Sequence, residues 1–135
     1  MNQELPQLKF HHIGALTRDI CVSERTFSSL GFSFETRIFD PIQQVNLSFG
    51  RNHLDMLLEL VEPVTGSSIE PLMKRNGPGP YHLCFEVENI HVREIELKKQ
   101  GFVCTRKPEK AIAFDNRLVA FYYSLHSGLV ELLEL

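Results

Sequence analysis

Apolar positions along this chain follow two periodicities, and the two halves alternate them in the same order. Residues 8–16 carry Leu8, Phe10, Ile13, Ala15 and Leu16, apolar on both faces at the centre, which predicts a strand covered on both sides. From residue 20 to 30 the spacing changes. Ile20 and Phe27 lie seven apart on one stripe, while Glu24, Arg25 and Ser28 form a polar face, so a helix is expected, capped by Asp19 and stopped by Gly31. Three strands follow over 32–38, 44–49 and 55–61, separated by the turn chemistry of Asp40-Pro41 and Gly50-Arg51-Asn52.

Residues 62–80 break both periods with Pro63, Gly66, Pro71 and the run Asn76-Gly77-Pro78-Gly79-Pro80. A short helix is expected there over 68–75. The order then repeats: a strand over 81–87, a helix over 90–100 capped by Asn89 and ended by Gly101, and strands near 102–106, 118–123 and 128–133, with 107–117 as a loop. The pattern predicts βαβββ twice: one domain over 1–135, made of a module 8–62, a linker 63–80 and a module 81–135.

The repeat extends to single residues. His12 is followed seven and eight positions later by Asp19-Ile20, and nineteen and twenty later by Gly31-Phe32; His82 is followed at the same offsets by Asn89-Ile90 and Gly101-Phe102. Each half also closes on a glutamate in an apolar strand, Glu59 47 residues after His12 and Glu131 49 residues after His82. Alternate strand residues share a face, so Glu59 lies with Leu57 and Val61, and Glu131 with Leu129 and Leu133. A carboxylate in an apolar row stays ionised only where a cation or strong donors compensate it. One divalent ion would compensate both.

Imidazole and carboxylate together suit Zn, Ni, Co, Mn or Fe better than Ca or Mg, and four protein ligands on an octahedral ion leave two positions open. Taken singly, His12 reads as a hydrogen-bonded core residue and either glutamate as an edge-strand charge. The equivalent placement of all four favours a metal site. By strand alternation His11 falls on the opposite face from His12 and reads as structural or exposed. His53 and His126 fall in turns and His91 on a helix surface; Arg117 is either an anion contact or half of a loop-ordering ion pair.

With 135 residues and 43% hydrophobic content the chain can bury one core. Its net charge of -3 offers no basic field for nucleic acid or an anionic membrane. The stretch 1–9 is polar, with Glu4 and Pro6, and resembles no secretion signal. A cytoplasmic protein is expected, with Cys21, Cys84 and Cys104 reduced.

Four stretches carry a resemblance: His11-His12-Ile13-Gly14, Glu59-Leu60-Val61-Glu62-Pro63, Tyr81-His82-Leu83-Cys84-Phe85-Glu86-Val87 and Gly128-Leu129-Val130-Glu131-Leu132. In order and spacing they resemble the vicinal oxygen chelate superfamily, nearest its methylmalonyl-CoA epimerase and glyoxalase I members. The resemblance implies an α+β fold of paired βαβββ modules in an open, cupped, eight-stranded sheet, commonly a homodimer. It implies one divalent ion on His12, Glu59, His82 and Glu131, and removal of a proton alpha to a carbonyl, with Glu131 or Glu59 as base. Asp40 is the acid available in the loop where relatives place a second base. The implied substrate is an acyl-CoA thioester or, in a lactoylglutathione lyase, a hemithioacetal. An extradiol-type dioxygenase is disfavoured because Glu59 takes a position that oxygen needs, and a metal-free drug-binding protein because all four ligands are present.

Overall fold

The computed structural model describes residues 7–135; residues 1–6, most of the polar N-terminal stretch, lie outside the described residues. The elements in order are β1 (Lys9–Leu16), α1 (Ile20–Ser28), β2 (Ser33–Phe34), β3 (Ile38–Asp40), β4 (Val45–Arg51), β5 (Leu57–Pro63), α2 (Glu70–Asn76), β6 (Gly79–Val87), α3 (Ile90–Lys99), β7 (Val103–Ala111), β8 (Arg117–Ser124) and β9 (Gly128–Glu134). A short 3₁₀ helix, Ile112–Phe114, joins β7 to β8. Among the described residues no helix is long and apolar enough to cross a membrane.

All the strands form one mixed sheet in the order β2-β4-β5-β1-β6-β9-β8-β7, with β3 on β4. β1 pairs β5 in parallel and β6 pairs β9 in parallel, while β1 and β6 meet antiparallel in the middle. That central pairing has approximate two-fold symmetry. Ile13 faces Leu83 at its centre, His12 faces Cys84 on one side and Gly14 faces His82 on the other.

Two departures from the expected elements have local causes. The strand expected over 32–38 is cut into β2 and β3, because the pairing with β4 slips by one residue between Phe34↔Gly50 and Ile38↔Leu47. The sheet therefore has nine strands. The corresponding strand of the second half absorbs two such slips and runs unbroken to Ala111, so most of the expected loop 107–117 is strand and 3₁₀ helix.

The outer face of the sheet is covered by α1 and α3. Ile20 packs with Ala15, Leu58 and Leu60, and Ile90 with Val87, Ala120, Tyr122 and Leu132; burying an isoleucine side chain contributes roughly 1.5–3 kcal/mol. The helix ends are as the sequence predicts: Asp19 and Asn89 accept from the N–H of Val22 and Val92, and Gly31 and Gly101 have φ of 101° and 91°. The inner face curls. Ala113 and Phe114, which follow β7 at one edge, pack on the Leu47, Phe49 and Val61 cluster of the other half. The result is a cup with its interior at the β1–β6 seam.

Candidate metal centre

The four side chains picked out by the repeat meet inside the cup. His12 on β1, Glu59 on β5, His82 on β6 and Glu131 on β9 are all buried, and one donor atom of each lies within 4.8 Å of the others. His12 Nε2 is 3.2 Å from His82 Nε2. Glu131 Oε1 lies 3.2 Å and 3.1 Å from these two nitrogens, and Glu59 Oε1 3.3 Å and 3.5 Å. Donors held at about 2.1 Å from one ion stand about 3.0 Å apart in an octahedron and about 3.4 Å in a tetrahedron. The observed separations span that range.

Two further observations fit an ion. Glu131 Oε1, for all its nearness to both imidazoles, has no partner in hydrogen-bond geometry. Glu59, His82 and Glu131 border a cavity of about 20 Å³, enough for one water or ion. The electrostatics agree. Burial opposes charge on His12, but the Glu59 carboxylate and the other polar groups close by outweigh it, raising the ring well above its usual range. Burial likewise opposes charge on Glu131, and the imidazoles of His12 and His82 overcome it, holding the carboxyl low.

Strand geometry explains how the chain reaches this arrangement. Gly14 lies beside both Glu59 on β5 and His82 on β6. A Cβ on Gly14 would come within 2.0 Å of His82 Cε1, so the imidazole occupies the space that a side chain would need. Cys84 is the two-fold counterpart of Gly14, beside Glu131 and His12. Each histidine therefore faces a small residue of the other half.

The central ladder also carries two β-bulges. The pairing jumps from Phe10↔Phe85 to His12↔Cys84, leaving His11 as the extra residue, and from Gly14↔His82 to Ala15↔Pro80, leaving Tyr81. A bulge re-aims the side chain it carries, so simple alternation fails at both places. His11, expected on the far face, instead sets its Nδ1 2.8 Å from His12 Nδ1. For His12 to offer Nε2 to an ion it must carry its proton on Nδ1 and donate it to His11. His11 thus lies against the cluster, a place that alternation concealed.

The remaining expectations sort clearly. Asp40 borders the same cavity, but its Oδ1 accepts from the N–H groups of Ile42 and Gln43 at 2.8 and 3.2 Å, and so holds the turn into β4. Arg117 orders the structure: it donates to Glu86 at 2.8 Å and to the Glu134 carbonyl at 2.7 Å. His53, His91 and His126 are exposed. Phe114 was not foreseen. It stacks on His12 with ring centroids 5.6 Å apart and an interplanar angle of 21°, and touches Phe49, closing one side of the centre.

The other side opens on a cleft of about 750 Å³, which shares Gln43, Tyr81 and Phe121 with the inner cavity. Arg75 and Arg106 line it, and among the described residues no carboxylate does. Arg106 pairs with Glu109 at 3.0 Å, so part of that positive charge is balanced from outside the cleft.

Solved structures share this architecture. A hypothetical protein from Bacillus halodurans C-125 is 25% identical with a TM-score of 0.83, covering 96% of each chain. Methylmalonyl-CoA epimerase from Mycobacterium tuberculosis is 20% identical, TM-score 0.78, covering 93% of this chain and 87% of that one. A variant of the Streptomyces coelicolor epimerase, in complex with 2-nitronate-propionyl-CoA, is 20% identical, TM-score 0.78, covering 95% of both. No curated protein matches. Residues 11–121 match the family described as the Glyoxalase/Bleomycin resistance protein/Dioxygenase superfamily. With a match of that extent and the paired fold around its seam, the chain belongs to the glyoxalase/bleomycin resistance protein/dioxygenase superfamily.

Proposed function

We propose that His12, Glu59, His82 and Glu131 hold one divalent ion, of Zn, Ni, Co, Mn or Fe, and that the protein is an isomerase or epimerase moving a proton alpha to a carbonyl. The observation that carries this reading is the convergence of the four donor atoms at the floor of an open cleft, with the two histidine nitrogens 3.1–3.5 Å from each other and from both carboxylates. A divalent ion bound there supplies Lewis-acid stabilisation of charge on a substrate oxygen, lowering the barrier to enolisation by several kcal/mol.

The chain's own groups do the rest. Glu131 or Glu59 accepts the alpha proton; their apolar surroundings keep water from competing for it. Phe114 and Phe49 close the side of the centre away from the cleft. Arg75 and Arg106 suit a substrate with an anionic tail, and the related epimerases act on methylmalonyl-CoA, so an acyl-CoA thioester is the first substrate to try. A glutathione hemithioacetal, also anionic, is the second. The homodimer implied by the resemblance belongs to this reading, with the mass in solution as its check.

The test is metal analysis of the purified protein, followed by exchange of the alpha proton in deuterated water with methylmalonyl-CoA and with the hemithioacetal of methylglyoxal and glutathione. Exchange that needs the ion and is lost in Glu131→Gln, with the fold intact, is the expected result. Undiminished exchange in Glu131→Gln would overturn the assignment of that residue, and a protein that takes up no divalent ion would overturn the whole reading.

A further inference from the structure

The bulge at Tyr81 leads to a role for a residue outside the ligand set. We propose that Tyr81 is a catalytic residue whose hydroxyl donates a hydrogen bond to the substrate oxygen that gains negative charge. The proposal rests on the proton-transfer reading above.

Tyr81 precedes His82 on β6, and strand alternation would send it to the opposite face. The slip from Gly14↔His82 to Ala15↔Pro80 makes it the extra residue of a bulge, and its ring turns inward to pack edge-on against His82, centroids 4.5 Å apart. It borders both the inner cavity, with Glu59, His82 and Glu131, and the outer cleft, with Arg75 and Arg106. A substrate reaching from the cleft to the metal centre must pass it.

Among the described residues only Gln43, Tyr81 and Phe121 line both spaces. Phe121 has no polar group. Gln43 directs its side-chain amide N–H to Asp40 Oδ2 at 3.4 Å. The Tyr81 hydroxyl has no hydrogen bond among the described residues, and it is the one hydroxyl among the three residues where the spaces join. A phenol O–H at this place is a hydrogen-bond donor to an oxygen that gains negative charge. Its two-fold counterpart, His11, is committed to His12. One bulge thus supports a ligand, and the other presents a group to the substrate.

Tyr81→Phe removes the donor and keeps the ring. Wild type and variant freed of metal are titrated with zinc and, once zinc-loaded, with acetohydroxamate, whose paired oxygens mimic an enolised carbonyl. Zinc affinity should stay within about twofold, because Tyr81 is not a ligand. Acetohydroxamate should bind about tenfold to a hundredfold more weakly, the loss of one hydrogen bond to a charged oxygen. The kcat for alpha-proton exchange should fall by a similar factor with KM little changed.

Equal hydroxamate affinity and equal kcat in the variant would overturn the proposal while leaving the proton-transfer reading intact. Weaker zinc binding or a lower melting temperature, with hydroxamate affinity unchanged at saturating zinc, would also overturn it, since Tyr81 would then be a packing element. A Tyr81-dependent hydroxamate affinity, in a wild type that exchanges protons with neither the thioester nor the hemithioacetal, would uphold the contact and remove the proton-transfer reading instead.

Discussion

The two halves of the molecule use one plan around the β1–β6 seam, yet they spend equivalent positions differently. His12 and His82, Glu59 and Glu131, Gly14 and Cys84, His11 and Tyr81 are exchanged by the same approximate two-fold. The last strand of each half shows how much the plan conserves. Glu59 and Glu131 point inward to the cluster, while three residues later Glu62 and Glu134 point outward and accept from the N–H of Ile20 and Ile90, each at 2.9 Å. A single strand thus delivers one carboxylate to the site and another to the free amides of a helix start.

The differences lie where the halves must not be alike. His12 Nδ1 has His11 as partner and its ring has Phe114 stacked on it; His82 Nδ1 has no partner and its ring faces the cleft through Tyr81 and Phe121. The first half therefore makes the closed, braced side of the site, and the second makes the side through which a ligand arrives. A symmetric duplication could hold an ion, but it would have no preferred entrance.

This contrast sets the order of expected effects. Replacing either histidine, His12→Ala or His82→Ala, should lower metal affinity by more than about a hundredfold, beyond what loss of an outer partner does, as read by calorimetric zinc titration. Affinity in the wild type should also keep rising with pH above the usual imidazole range. His12 holds its proton there, and that proton must leave before the ion binds.

Next in size, Gly14→Ala should be far worse than Cys84→Ala. The new methyl group meets the His82 ring, so a stability loss of about 1–3 kcal/mol from overpacking should come with weakened zinc binding. Cys84→Ala removes one buried sulfur and should leave zinc binding nearly intact. Denaturant melts of the two variants, with and without zinc, make the comparison.

His11→Ala should weaken zinc binding about tenfold to a hundredfold, with His11→Asn restoring part of it because an amide can stand in for the ring nitrogen. Tyr81→Phe in the other half should not change zinc affinity. Equal effects at the two bulges would erase the distinction between braced and open sides.

The smallest effects belong to the helix starts. Glu62→Gln and Glu134→Gln should each cost about 1 kcal/mol of stability and leave zinc affinity unchanged, unlike Glu59→Gln and Glu131→Gln. Thermal melts and zinc titrations separate the inward pair from the outward one.

Much of the architecture was readable in the order of residues because its determinants are local. The caps Asp19 and Asn89, the stops Gly31 and Gly101, and the switch from strand to helix periodicity act within a few residues and recur at fixed offsets. The four cluster residues were readable because the repeat marked them twice. The loop expected over 107–117 was misread: Lys107, Glu109 and Lys110 look like loop composition, but they lie on the edge strand β7, where charged side chains face solvent and the pairing with β8 decides the conformation. The break between β2 and β3 is not visible in the hydrophobic pattern because Phe32, Phe34 and Ile38 keep one alternation across it, and the slip lies only in the pairing with β4.

The order of residues alone determined that two like units would form, which strand each histidine and glutamate would occupy, and that each glutamate would share a face with apolar neighbours. Only the tertiary structure decided that His11 and Tyr81 turn inward, that Gly14 makes room for His82, and that Phe114 reaches across the cup to cover His12. The reason is physical. Periodicity assigns a side chain to a face only while the ladder is regular, and the bulges, the close approach at Gly14 and the curl that brings one sheet edge to the other all arise from pairings between residues distant in the chain.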